Sequence, residues 1–353
     1  MKIVRLSKIN TNTFLMKIII GFLLLAMSFC LGVFAQETAV NNFIVEGIKM
    51  HDKGDYTGAI EFYKKALLSD KNSIQANYEI ASSYLALKDY ENALKCADKV
   101  IVRNRDYVDQ AYILKGSALD LSGKQFEAVK IYKLALKKYT KNHLLYYNLA
   151  LTSFNLKNYK DADYALLKAL KLNPLHASSH FLLGLSMIGQ QNRVQGILAL
   201  YNFLLLEPKS KRSASALLAL EDEWKNTAKG KSGSNTAPAE KEEDEFSTAL
   251  LMLDILESSK KNEANKNKPA TTLFIENTNA FFTILGEVKK DKKGFWWNFY
   301  VDYFYTVANN HHTEALCYYI TQSKDDAYEL WLNDNMKKME AFSEWYIKYL
   351  HKF

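Results

Sequence analysis

The chain has 353 residues, 48% hydrophobic and 24% charged, with 4 Pro, 14 Gly and 3 Cys. That leaves room for two domains with a sizeable core, and the scarcity of Pro and Gly favours helices over a loop-rich or many-stranded fold. The formal charge of +7 overstates the surface, because Lys2, Arg5, Lys8 and Lys17 precede an apolar run; beyond them 42 bases face 39 acids, a balance that gives no electrostatic reason for a nucleic-acid partner.

Residues 18–35 read IIIGFLLLAMSFCLGVFA after that basic flank. A short apolar run ending Val33-Phe34-Ala35 reads as a secretory signal peptide over residues 1–35, cut after Ala35. Met16 offers a second start that gives a more usual signal length. The rival is an uncleaved anchor, since the run is just long enough to span a bilayer; a lipid attachment at Cys30 is disfavoured by Phe29 before it. Cleavage leaves Cys96 and Cys317, too few for a disulfide framework, and both read as buried small hydrophobes.

The next segment repeats. Ala59, Ala93, Ala128, Ala162 and Gly196 are spaced by 34, 35, 34 and 34 residues. Gly47, Ala81, Gly116, Ala150 and Gly184 keep the same spacing twelve residues earlier, and Ala66, Val100, Ala135, Ala169 and Phe203 keep it seven residues later. Small residues in register are what two antiparallel helices need where their backbones cross, with larger apolar residues filling the spaces between. Gly54 reads as the turn after a first helix, and Ala59, Ile60, Tyr63 and Ala66 as the apolar face of a second. Pro174 and Pro208 read as stops after second helices.

This pattern resembles the tetratricopeptide repeat family over residues 40–210. The units run 40–73, 74–107, 109–142, 143–176 and 177–210, with Val108 as a one-residue insertion. The family's early Trp is replaced by Phe43, Asn77, Tyr112, Tyr146 and His180. Lys71, Arg105 and Thr140 stand where the terminal Pro is expected, and Gly196 and Arg193 make the fifth unit the least regular. Residues 211–225 read as an amphipathic helix, with Leu217, Leu218, Leu220 and Trp224, that caps the last unit, as a solenoid requires. The expected fold is therefore all-α: a superhelical solenoid with its cap over 40–225, then a small helical domain.

Residues 226–243 lose their large apolar side chains and read as a flexible linker. The C-terminal domain spans 244–353. It opens with a helix over 244–258, continues through a polar loop from Ser258 to Ala270, and looks helical from Thr271 to the end. Trp297, Val301, Phe304 and Ala308 fall at helical spacing, as do Phe342, Trp345 and Tyr349. Ser323 to Asp326 looks like a helix start. The run Phe295 to Tyr300 is apolar around most of a helix and should be buried on several sides. This tail is similar to the aromatic tails of exported repeat proteins of Bacteroidota-type bacteria, a likeness that implies no activity.

Chemical motifs are missing. No GxxxxGK, GxGxxG, GxSxG or HExxH occurs, so no phosphate loop, nucleophile turn or zinc helix can be named. His311, His312, Glu314 and Cys317 are near neighbours, and on one helix His311 and Glu314 would share a face, but they lack the convergent donors of a metal site. No catalytic, cofactor or metal residue is expected.

In the family, the first helix of each unit lines a concave groove. The resemblance therefore implies a protein-binding face made of Gln75, Tyr78, Ser82 and Leu85; Gln110, Ile113, Ser117 and Asp120; Tyr147, Asn148, Leu151 and Phe154; and Phe181, Leu185 and Ile188. This face is apolar and aromatic with a few amides and hydroxyls, which suits an extended peptide or an amphipathic helix. Some family members clamp a C-terminal carboxylate with Lys, Arg and Asn, but only Asn148 matches here. The expectation is a non-catalytic scaffold in the periplasm or cell envelope that binds a protein or peptide, with membrane association if the N-terminal segment is uncleaved. The alternatives are an enzyme with an unrecognised site among the C-terminal helices, or a cell-wall glycan binder using Trp296 and Trp297.

Overall fold

A computed structural model describes residues 38–225, 246–324 and 326–350, together with Ile20. The expected signal peptide, apart from Ile20, and the expected linker at 226–243 lie outside the described residues. Among the described residues there is no strand, and no helix is long and apolar enough to cross a membrane. The chain divides into two units at Tyr139/Thr140.

The first unit holds α1 (38–52), α2 (Tyr56–Ser69), α3 (Ile74–Ala86), α4 (Tyr90–Arg103), α5 (Val108–Leu121) and α6 (Gln125–Leu136). The second opens with α7 (His143–Asn155), α8 (Tyr159–Leu172), α9 (Ala177–Gly189), α10 (Arg193–Leu206) and α11 (Lys211–Lys225). These are the five expected helix pairs and the expected cap, and α8 and α10 end just before Pro174 and Pro208 as the fixed φ of proline requires. Each pair closes with one turn geometry. The N–H of Asp55, Asp89, Lys124, Asn158 and Asn192 donates to the carbonyl of Met50, Tyr84, Leu119, Ser153 and Met187 respectively, at 2.8–2.9 Å. The residue before each donor is left-handed: Gly54, Lys88, Gly123, Lys157 and Gln191. This bond satisfies carbonyls that the end of a first helix leaves open. The next residue then caps the second helix through its side chain at Asp55, Asp89 and Asn158.

Only two of the five left-handed positions carry the residue that adopts this conformation at no steric cost. Gly123→Ala should therefore lose about 1 kcal/mol in urea denaturation, while Lys157→Gly should hold or gain stability.

The crossings explain the small-residue register. A Cβ added to Gly47 or Gly116 would lie 2.3 Å from a ring carbon of Tyr63 or Tyr132, so glycine makes room for the buried ring of its own second helix. The extra residue between the second and third units lengthens α5 at its start. Val108 is the first residue of α5 and is buried, and the loop before it turns through left-handed Asn104 and Tyr107.

The rest of the second unit is α12 (Ser247–Ser259), α13 (Ala270–Lys289), a π-helical turn (Trp296–Val301), α14 (Asp302–Asn309), α15 (Thr313–Ile320) and α16 (Ala327–Leu350). The described residues after Thr271 are helical apart from short connections, and left-handed Gly294 and His311 lie in two of these. The turn between α14 and α15 reproduces the repeat turn bond for bond. Asn310, His311 and His312 donate to Thr306, Ala308 and Val307, and Leu316 donates to His312, as Leu156, Lys157, Asn158 and Ala162 do to Thr152, Phe154, Ser153 and Asn158. In that register Phe304 and Leu316 stand where the repeats place Gly or Ala. Bulk at the crossing holds the two helices apart.

The fifth unit is the least regular in sequence and the most deeply covered. Eleven residues of α10 are buried, Val194 and the whole run Gly196 to Leu205, and a helix apolar on all sides needs partners on all sides. They come from α9, α11, α12, α15 and the π-helical turn. Arg193, standing where the family has Tyr, ties α10 to α11 and α12 through Asp254 at 2.9 Å and the Glu223 carbonyl at 2.6 Å.

Candidate functional site: the first-helix faces

In the first unit, the expected positions lie on α3 and α5. Tyr78, Ser82, Leu85, Ile113, Ser117 and Asp120 are half-buried, as is Gln75, and Gln110 is exposed. Their neighbours Ala76, Asn77, Ile80, Ala81 and Ala111, Leu114, Gly116, Ala118 are buried. The helix period thus separates a packing face from a face that keeps contact with water. Tyr78 stacks on Tyr107 at 5.1 Å, and burial raises the Tyr78 pKa. Ser117 shares a 3.2 Å hydrogen bond with Tyr132.

Gln75 and Gln110 also line an open cleft of about 1370 Å³. Its walls include Asp70, Arg103, Arg105, Asp106, Asp109 and Tyr107. Sequence reasoning missed this mixed-charge wall and Tyr107. The one-residue insertion was the available signal, because it places a tyrosine in a left-handed turn at the mouth of the face.

In the second unit, Tyr147, Asn148, Leu151, Phe154, Phe181, Leu185 and Ile188 are all half-buried on α7 and α9. They divide by what they touch. Phe181 packs on Phe203 at 4.8 Å, with the Arg212 guanidinium 6.0 Å from its ring, and Ile188 fills the space over Gly196. Asn148 donates to its own helix at the Leu144 carbonyl, 2.8 Å away. Tyr147 meets His176 edge-on at 4.9 Å, and His176 meets His143 at 5.2 Å. Burial lowers the pKa of both histidines, that of His176 to about 4. The cluster is therefore uncharged at neutral pH.

The C-terminal helices pack against α10 and α11 and reach α9 at His180. His180 is fully buried, with Nδ1 2.6 Å from the Tyr300 hydroxyl and Nε2 2.8 Å from the Pro174 carbonyl. A carbonyl only accepts, so Nε2 carries the proton and Nδ1 accepts from Tyr300. The residue in the family's Trp position thus becomes the pin between repeat and tail.

The His311–Cys317 neighbourhood is not assembled as the sequence suggested. His311 sits in the left-handed turn, off the helix face of Glu314. The carboxylate of Glu314 accepts from Trp331 Nε1 at 2.9 Å and Lys338 Nζ at 2.7 Å. Cys317 is buried and its pKa is pushed up to about 12 by burial. The cavity of about 250 Å³ that Cys317 lines is walled by Trp224, Phe274 and Lys324 among others, without His311, His312 or Glu314. Nor do Trp296 and Trp297 form a pair of exposed rings: Trp297 is buried and stacks on Phe246 at 4.4 Å, and Trp296 stacks on Tyr300 at 5.1 Å. This corrects the glycan-platform expectation.

Residues 50–117 and 144–174 match the family described as tetratricopeptide repeat. A TPR repeat-containing protein of Methanocaldococcus jannaschii is 30% identical over 116 residues, covering 32% of this chain and 20% of that protein. The chain thus spans about a fifth of the length of that relative. Among solved structures, the MamA protein is similar at 24% identity and a TM-score of 0.40, covering 48% of this chain and 92% of its own. A thermophilic TPR protein of Thermus thermophilus is similar at 18% identity and a TM-score of 0.44, covering 52% of this chain and 98% of its own. The matched residues 50–117 and 144–174 fall within the five helix pairs, so this part of the chain is similar to tetratricopeptide repeats in sequence and is built of the helix pairs that such repeats form.

Proposed function

We propose that the chain is a non-catalytic scaffold that holds a segment of another protein against the first-helix faces of its repeats, in the periplasm or cell envelope. One observation carries this reading: none of the fifteen face positions is buried, although most are apolar or aromatic and each of these helices also carries a buried packing face. Half-covered tyrosine, phenylalanine and leucine with interspersed serine and amide groups suit an extended peptide or an amphipathic helix. The neutral Tyr147–His176–His143 cluster supports an apolar rather than a charged contact in the second unit.

The test is capture of a protein partner by the immobilised full chain. Tyr78→Ala and Tyr147→Ala, with helicity unchanged by circular dichroism, should each weaken capture at least about ten-fold, as truncated aromatic anchors do. Unchanged capture by the double variant would remove the face assignment. Phe181→Ala is a poorer probe, because its ring also packs on Phe203. The export part of the proposal rests on residues 18–35. Mass spectrometry of envelope fractions should find a chain beginning at Gln36; a chain retaining residues 1–35 would support the anchor instead.

A further inference from the structure

The outer face of α6 departs from the outer faces of the second helices before it. At about 100° per residue, Phe126, Lys130, Lys133, Leu134 and Lys137 share one face of α6. Ala128, Tyr132 and Ala135, which are buried, form the opposite one. Phe126 is 74% exposed and Leu134 50% exposed. Lys124 and Lys138 flank the face, all five lysines are exposed, and Glu127 is the only acid in the stretch from 121 to 138.

The neighbouring repeats provide an internal comparison. On α2, Glu61 pairs with Lys64 at 3.3 Å; on α4, Glu91 pairs with Lys95 at 2.6 Å and Asp98 with Lys115 at 2.6 Å. The repeat register places Lys130, Phe126 and Lys133 of α6 where those repeats carry Glu61, Glu91 and Asp98. At these three positions α6 carries a base or a large apolar ring in place of an acid. The result is a compact basic field enclosing two apolar side chains that no helix of the first unit covers.

We infer that the outer face of α6 docks on an anionic lipid bilayer, with Phe126 and Leu134 entering the headgroup layer between the lysines. The lysine cluster supplies attraction to a negative surface, and the apolar pair supplies the part that distinguishes a bilayer from any other polyanion. A phosphate polymer gains nothing from an exposed phenylalanine and leucine, whereas the headgroup–acyl boundary buries them. This surface lies on second helices, so it leaves the first-helix faces free for a protein segment.

The test is hydrogen exchange of the full chain with and without vesicles, which reads α6 itself and does not score binding through any other segment. Mixed phosphatidylglycerol–phosphatidylcholine vesicles should slow exchange across residues 124–138, and phosphatidylcholine alone should not. Each of Lys130→Glu and Lys137→Glu should raise the lipid concentration needed for that protection by about five-fold or more, and raised salt should weaken it. Phe126→Ser with Leu134→Ser should weaken protection by vesicles at unchanged charge. Unchanged exchange over α6, equal protection by zwitterionic vesicles, protection indifferent to Phe126 and Leu134, or stronger protection by double-stranded DNA or an acidic protein than by vesicles would each overturn the assignment.

Discussion

Acidification from pH 7 to about 4 should cost the second unit on the order of 3 kcal/mol through His180 alone. Burial holds the His180 pKa down at about 4, against 6.5 when unfolded; the hydrogen bond to Pro174 works the other way and His176 adds to the depression. The unfolded chain therefore binds more protons than the folded one below pH 6.5. Stability falls as pH drops through that value and levels off below about 4. The geometry says why. A proton on Nδ1 would turn Tyr300 from donor to acceptor, leaving its buried hydroxyl hydrogen without a partner. His176 acts in the same direction with a smaller share, being half open to water. Urea unfolding followed by tyrosine and tryptophan fluorescence between pH 7 and 4 measures the slope. His180→Gln keeps an acceptor and a donor and does not titrate. It should begin less stable at neutral pH and show a flatter dependence across the same window. An unchanged slope would mean that other groups govern acid unfolding.

Trp297→Ala should cost about 4 kcal/mol, the upper range for truncating a buried aromatic. The indole lies parallel to Phe246 at 4.4 Å, and Lys292 Nζ stands 4.5 Å from its ring. The π-helical turn that carries Trp297 also presents Val301 and Tyr300, both fully buried, and packs on α10 and α13. Loss of the indole thus opens a void in the layer that covers α10. Chemical denaturation should show the loss, accompanied by new binding of a hydrophobic dye, since α10 has no solvated side. Trp296→Ala, at a half-buried ring one residue away, should cost clearly less.

How far the sequence carried the fold depends on what filled the crossing positions. From Gly47 to Gly196 the crossings hold Gly or Ala, and that spacing alone places the five helix pairs. Pro174 and Pro208 gave the ends. Of the left-handed turns only Gly54 was read from the sequence; Gly123 carried the same signal, whereas Lys88, Lys157 and Gln191 adopt the conformation without a residue that favours it. Beyond residue 270 the same turn recurs at Asn310–His312. Phe304 and Leu316 erase the small-residue signature there, and the π-helical turn inserts a wider coil into the preceding helix. Trp297, Val301, Phe304 and Ala308 still reached the core as their spacing indicated. The candidate face was assigned by family position alone. Fourteen of the fifteen residues are half-buried and Gln110 is exposed, and nothing in their identities foretold that Phe181 and Ile188 would be partly spent on intramolecular packing. Nor did they foretell that His180 would be claimed by the tail. The basic face of α6 was not read from the sequence, where its lysines are spread over residues 124–138, and it became a surface only when the helix period showed which of them share a side.

The encirclement of α10 also sets an order of events during synthesis. Helices α1 to α6 find their partners within a few dozen residues of chain, so the first unit can close while the ribosome is still making the second. The apolar run of α10 ends at Leu206, yet the π-helical turn that covers it begins at Trp296 and α15 ends at Ile320. About a hundred residues must be translated while a helix that is oily on every side waits for its cover. A nascent chain stalled, or a gene truncated, in that interval would present a sticky rod to whatever is near. A premature stop after α11 should therefore yield aggregates or chaperone-bound material rather than a shorter working array, whereas a chain ending near Tyr139 lacks α10 altogether and escapes that hazard.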